Sequence, residues 1–185
     1  MVSTSAGRLF DAVSAILGVR KASTFEGEAS TTLQFLADAF SERSLAEGVD
    51  PEMAVDEVLE QYPQLLSMME TEACPVIATD ALVRVLVEEK LAGRSCDMLS
   101  YWFHSILARQ IVHCSRNLAK QYGSSVCALT GGVFQNQLLL RLCDEGLRKA
   151  GLKVYRHSLI PPNDGGLALG QAVAAMYHLN QEISC

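Results

Sequence analysis

The sequence has no CxxC pair, no HxxxH or HExxH segment, and no Lys-Ser or Lys-Thr after a glycine turn. The first absence removes a zinc ribbon or thioredoxin-type site. The second removes the helical zinc-hydrolase motif, and the third a Walker phosphate loop. No apolar run approaches the roughly 20 residues that a membrane-spanning helix needs. The first residues, Met1-Val2-Ser3-Thr4-Ser5, lack the charged-then-apolar order of a signal peptide. Positive charge is scarce: 15 Lys and Arg stand against 21 Asp and Glu, a net charge of -6. That argues against a general nucleic-acid coat, which wants a basic surface, but leaves room for a local basic groove. No internal repeat, low-complexity segment or Pro/Ser-rich linker divides the 185 residues. The chain therefore reads as one unit with a real core.

Hydrophobic residues make up 49% of the chain, and most recur at helical spacing. Leu9, Val13, Ile16 and Leu17 form one stripe, stopped by Gly18. A second helix is predicted over 28–45, with Leu33, Leu36, Ala37 and Phe40 on one face. Residues 52–72 are helix-like but ambiguous, because Tyr62-Pro63 interrupts them. Thr79 or Asp80 is placed to cap a helix carrying Leu82, Val83, Leu86 and Val87. A long helix follows over 96–121 and closes at Gly123. The six cysteines are Cys74, Cys96, Cys114, Cys127, Cys143 and Cys185. Their dispersion fits a reducing cytoplasm, with Cys114, Cys127 and Cys143 as small buried hydrophobes.

The period then changes. Ser125–Thr130 is a short apolar run, as in a strand buried on both faces. Gly131-Gly132, a helix over 134–150, Gly151 and a strand over 153–157 complete a βαβ unit. Its strands are expected to be parallel and its crossover right-handed. A last helix is expected over 167–177.

Three places carry candidate chemistry. Thr130-Gly131-Gly132-Val133-Phe134-Gln135-Asn136 sits where a parallel strand passes to a helix, the edge at which open α/β sheets bind ligands. Glycine admits close backbone approach, and a helix start offers N–H groups to phosphate. The structural alternative is a tight turn with Asn136 bonded to its own backbone. Pro161-Pro162-Asn163-Asp164-Gly165-Gly166 follows the next strand and is expected beside the first turn. Asp164 offers a hard oxygen to a divalent cation, or it caps the last helix. Asp11 is either a ribose acceptor or a solvated helix carboxylate, and Glu28 suits a helix start. His104, His113, His157 and His178 read as packing or surface residues.

Together these segments resemble the C-terminal part of the HypF carbamoyltransferase family of nickel-iron hydrogenase maturation. The resemblance runs from Ser5–Val13 through Phe25–Ala29 and Phe103-His104 to Gly131–Asn136 and Pro161–Gln171, in the family's order. It is also similar to the enzymes that make threonylcarbamoyl-adenosine in tRNA. The resemblance implies a helix-rich α/β lobe with a small parallel sheet, one half of an actin-like, sugar-kinase-like fold holding nucleotide between two lobes. It implies that residues 1–185 are the C-terminal lobe of a longer enzyme. That enzyme makes carbamoyl-adenylate from carbamoyl phosphate and ATP and passes the carbamoyl group to a C-terminal cysteine of a HypE-like partner. By the same resemblance Asp11, Gly27, Gly131, Gly132 and Asn136 bind nucleotide, and Asp164 ligates a divalent metal (zinc, iron or magnesium).

The departures bear on activity. The family's two metal-binding histidines lie on a segment absent from this sequence, so the metal site is incomplete. Gln137 stands where an arginine is usual, and Ala6 where a methionine is common. The isolated lobe is expected to bind nucleotide weakly and turn over nothing. An apolar face left for the missing lobe would favour self-association. The rival readings are a threonylcarbamoyl transferase lobe acting on tRNA and a non-catalytic interaction module.

Overall fold

The computed structural model describes residues 5–66, 68–70 and 75–183. Cys74 and Cys185 lie outside them. Helix α1 (Ala6–Ile16) starts under Ser5, whose Oγ accepts the Arg8 N–H, and ends just before Gly18. α2 spans Glu28–Ala46. α3 (Pro51–Gln61) opens with Asp50 accepting the Glu52 N–H. Pro51 sits in its first turn, where a missing N–H costs no helical bond.

The ambiguous stretch is resolved against a continuing helix. A short 3-10 turn at Pro63–Leu66 precedes an antiparallel pair, β1 (Met68–Glu70) and β2 (Pro75–Ile77). α4 spans Thr79–Leu91 and takes Ala78 as its cap residue, so neither Thr79 nor Asp80 caps it. α5 (Cys96–Tyr122) ends at Gly123, in the left-handed conformation that suits glycine.

α5 is the axis of the molecule, with α2, α4 and α6 packed around it. Phe10, Leu33, Leu86, Leu99, Phe103 and Leu139 are fully buried at these contacts. Each contributes about 1.5–3 kcal/mol by leaving water. The Phe10 and Phe103 rings meet edge to face at 4.8 Å. The Glu52 carboxylate ties α3 to α5, accepting from Tyr101 (2.6 Å), Ser105 (2.8 Å) and Arg109.

The βαβ unit forms with its two strands parallel, as expected. β3 (Val126–Leu129) and β4 (Lys153–Arg156) are parallel, with Cys127 opposite Val154 and α6 (Gln137–Lys149) between them in sequence. The molecule is thus a helix-rich α/β lobe with a small parallel sheet. Only one face of that sheet is covered. Cys127, Leu129 and Val154 join the core. Val126, Ala128 and Tyr155 are exposed on the other side, which corrects the reading of β3 as buried on both faces. Parallel sheets are normally covered on both faces.

Helix α7 (Leu167–Ile183) is bare as well. Every residue from Leu167 to Leu179 is exposed, and the helix's main contact is the 3-10 turn Asp164–Gly166 that precedes it. Leu169, Val173 and Met176 recur at helical spacing, each about half exposed or more. An exposed apolar stripe of this kind is unusual on a solvated helix face. No helix among the described residues is long and apolar enough to cross a membrane.

Candidate functional site at the carboxyl edge of the sheet

The two loops leaving β3 and β4 meet. Gly131 adopts φ 104° and ψ 154°, a region that essentially only glycine enters. In that pose its N–H donates to the Pro162 carbonyl at 3.0 Å. A Cβ on Gly132 would sit 3.8 Å from the Asn163 Cβ, so the loops are in van der Waals contact. The Thr130 hydroxyl and His157 Nε2 add a second tie at 2.9 Å. Beside them lies an open cleft of about 610 Å³, walled by Leu129, Phe134, Gln137, Arg156, His157 and Pro162. It sits outside the carboxyl ends of parallel strands, where such folds hold ligands.

The helix after the turn starts later than the sequence suggested. Residues Gly132–Gln135 form a 3-10 turn, and α6 begins at Gln137 with Asn136 as its cap. Asn136 is buried, and its Oδ1 accepts the Leu139 N–H at 2.9 Å. The Gln137 N–H is taken by Gln34 Oε1, also at 2.9 Å. The start of α6 is therefore partly satisfied from within the chain, which corrects the picture of a helix end open to phosphate. The N–H groups of Gly132 and Val133 make no hydrogen bond among the described residues.

Asn136 has a partner that sequence reasoning missed. Its Nδ2 lies 2.9 Å from Nε2 of His104, which is fully buried on α5. The other ring nitrogen, Nδ1, lies 2.7 Å from the Ser100 carbonyl. A carbonyl only accepts, so Nδ1 carries the proton and Nε2 accepts from Asn136. Burial pushes the imidazole down to about 4, against a carbonyl bond that favours the charged form. His104 is therefore neutral at neutral pH. The available signal was a histidine inside the apolar stripe of a long helix, between Phe103 and Ile106.

At the second loop, the capping role considered for Asp164 belongs to its neighbour. Asn163 Oδ1 accepts the Gly165 N–H at 3.1 Å. Asp164 is exposed, and its carboxylate makes no hydrogen bond or ion pair among the described residues. Gly166 must be glycine: a Cβ there would meet the Pro161 carbonyl oxygen at 2.7 Å. Gly27 opens α2 with φ 82°, and its carbonyl accepts the Thr31 N–H. Glu28 turns back to accept from Thr24 and pairs with Arg20 at 3.0 Å. Asp11 is exposed and pairs with Arg8 at 3.6 Å. α1 touches the Gly132–Gln135 turn, but neither Asp11 nor Gly27 hydrogen-bonds Gly131, Gly132, Asn136 or Asp164.

Among the described residues no three of His, Cys, Asp and Glu gather as a metal site. One exposed carboxylate is a single ligand residue, whereas a catalytic metal commonly needs about three protein ligands. The residues present do not make a metal centre by themselves.

The family described as "Carbamoyltransferase, Kae1-like Domain, second subdomain" matches residues 1–171. The chain belongs to this family. A carbamoyltransferase HypF of Rhodobacter capsulatus is 33% identical over 94% of this chain and 20% of its own length. A carbamoyltransferase HypF homolog of Cupriavidus necator is 31% identical over 94% of this chain and 40% of its own length. The crystal structure of full-length HypF in its phosphate- and nucleotide-bound form is 33% identical, with a TM-score of 0.77 over 95% of this chain and 20% of that one. The chain spans about a fifth of the length of most of the curated relatives it matches.

The His104 shift fixes the sign of a pH effect. The folded imidazole titrates near 4 and the unfolded one near 6.5. As pH falls from 6.5 to 4, the unfolded chain gains a proton that the folded chain refuses, so stability declines. The loss approaches about 3 kcal/mol at the acid end. Urea unfolding of wild type and His104→Phe across this range is expected to show a steeper decline in wild type. Parallel declines would mean that His104 does not titrate this way.

Proposed function

We propose that this lobe supplies one wall of a nucleotide site in a carbamoyltransferase. The full site, between two lobes of an actin-like, sugar-kinase-like fold, would make carbamoyl-adenylate from carbamoyl phosphate and ATP. The carbamoyl group would then pass to a C-terminal cysteine of a HypE-like partner. The observation that carries the reading is the junction of Gly131-Gly132 with Pro162-Asn163, beside an open cleft at the carboxyl edge of the sheet. The nucleotide-bound state of a 33% identical HypF structure supports it.

Within this reading the residues divide by what they can reach. Gly131 and Gly132 keep the edge free of side chains, so a nucleotide approaches the backbone closely. The unpaired N–H groups of Gly132 and Val133 are donors for an anionic group. Asn136 acts from behind the turn, since its amide is buried and doubly engaged. Asp164 faces solvent with its carboxylate uncommitted, and it would ligate a divalent metal only with ligands from elsewhere. Asp11 and Gly27 would meet the ribose or base from the α1 and α2 side. Developing phosphate charge in the complete site would be stabilised by fixed donors of this kind. The isolated lobe binds nucleotide weakly and lacks turnover. Cys96 and Cys143 are thiols, which suits the cytoplasm.

The bare face of the β3–β4 sheet and the apolar stripe of α7 support a further lobe of the same enzyme as the main partner. Without it, a second copy would cover the same stripe. Sedimentation velocity is expected to show concentration-dependent self-association that Met176→Glu abolishes. A clean monomer at high concentration would count against this.

Gly132→Leu provides the decisive variant for the nucleotide. A Cβ on Gly132 would make only ordinary contact with the Asn163 Cβ, at 3.8 Å, and the Gly132 φ is not positive, so the fold accepts a side chain that fills the ligand's approach. Calorimetric titration of ATP with Mg²⁺ should give weak saturable heat in wild type and at least tenfold weaker binding in the variant. Equal binding by both proteins would remove the nucleotide from this edge.

A further inference from the structure

We infer that His104 is a positioning residue of the glycine-turn site, acting through Asn136; this rests on the nucleotide reading above. The geometry is a relay with one possible polarity. The Ser100 carbonyl accepts from Nδ1 of His104 at 2.7 Å, and Nε2 accepts from Asn136 Nδ2 at 2.9 Å. Asn136 Oδ1 then accepts the Leu139 N–H at 2.9 Å. A flipped Asn136 amide would set its oxygen against the Nε2 lone pair and its NH₂ against the Leu139 N–H. The other histidine tautomer would set a lone pair against the Ser100 carbonyl. Each end thus forbids the alternative at the other.

The relay is also mechanically fixed. The His104 ring lies edge-on to Phe10 at 5.3 Å and to Phe103 at 5.5 Å, with no exposed surface. It belongs to α5, around which the other helices pack. Asn136 is the residue at which the turn becomes helix: its N–H donates to Val133 O, and its carbonyl accepts the Leu140 N–H. α5 therefore bears on the end of the Gly131–Gln135 turn through a single imidazole, alongside the Gly131–Pro162 bond and the α1 contact that also hold it. A purely apolar contact at position 104 would fill the space but leave the Asn136 side-chain Nδ2–H buried without an acceptor. The amide would then turn, and the cap on Leu139 would loosen.

The test uses the whole chain. His104→Phe keeps a buried ring and removes the acceptor; His104→Gln restores an oxygen that reaches Asn136. Amide hydrogen exchange and ¹H–¹⁵N spectra would be recorded for each, followed by titration with ATP and Mg²⁺. His104→Phe is expected to keep its helical content, to exchange the Leu139 amide about tenfold faster, and to shift the Gly131–Gln135 resonances. ATP affinity should fall about tenfold, and His104→Gln should recover most of both effects. Unchanged Leu139 exchange and turn resonances in folded His104→Phe would overturn the inference. Should that variant not fold, Asn136→Ser decides, since it keeps a capping oxygen and removes the amide reaching His104. Shifted turn resonances support the relay, and unshifted ones overturn it. If the Phe variant's turn moves while wild type shows no response to ATP, the relay stands and the nucleotide reading fails.

Discussion

The hydrogen bond from the Gly131 N–H to the Pro162 carbonyl requires a backbone at φ 104° that a side chain would strain. Through it, two loops from different strands become one edge. Behind that edge, α5 holds the turn in place through His104 and Asn136. In front of it lies the open cleft, with Arg156 and His157 on its wall. The arrangement joins a rigid support to an exposed backbone, which suits ligand binding better than a mobile loop would.

The same physics explains what the lobe leaves open. A parallel sheet of two strands buries one face well and has no means of covering the other. Val126, Ala128 and Tyr155 stay in solvent, and so does the apolar stripe of α7. The core around Phe10, Leu99 and Phe103 nonetheless gives the helical part its own stability. The result is a fold with its own core and an open cleft at the sheet's carboxyl edge.

Much of this was legible in the sequence, for identifiable reasons. Long helices such as α2 and α5 carry several turns of apolar repeat, so their spans read off directly. The βαβ unit was marked by its glycines and its change of period. Other features were not. The β1–β2 pair has strands of three residues each, too short for a period to register. The apolar pattern carries α6 back to Phe134, whereas Asn136 fixes the boundary by capping. The His104 contact joins residues 32 apart on different helices, and no local pattern encodes it. The exposed face of β3 is not legible either, because a short apolar run reads the same whether one face or both are covered.

On the nucleotide reading, Gly131–Asn136 and Asn163–Gly166 form one ligand edge. Mapping ¹H–¹⁵N shift changes across the assigned chain as ATP and Mg²⁺ are added tests it most directly. Both stretches should respond together, with one shared affinity, while α3 and α4 stay silent. Changes confined to one stretch, or centred on α3 and α4, would contradict it.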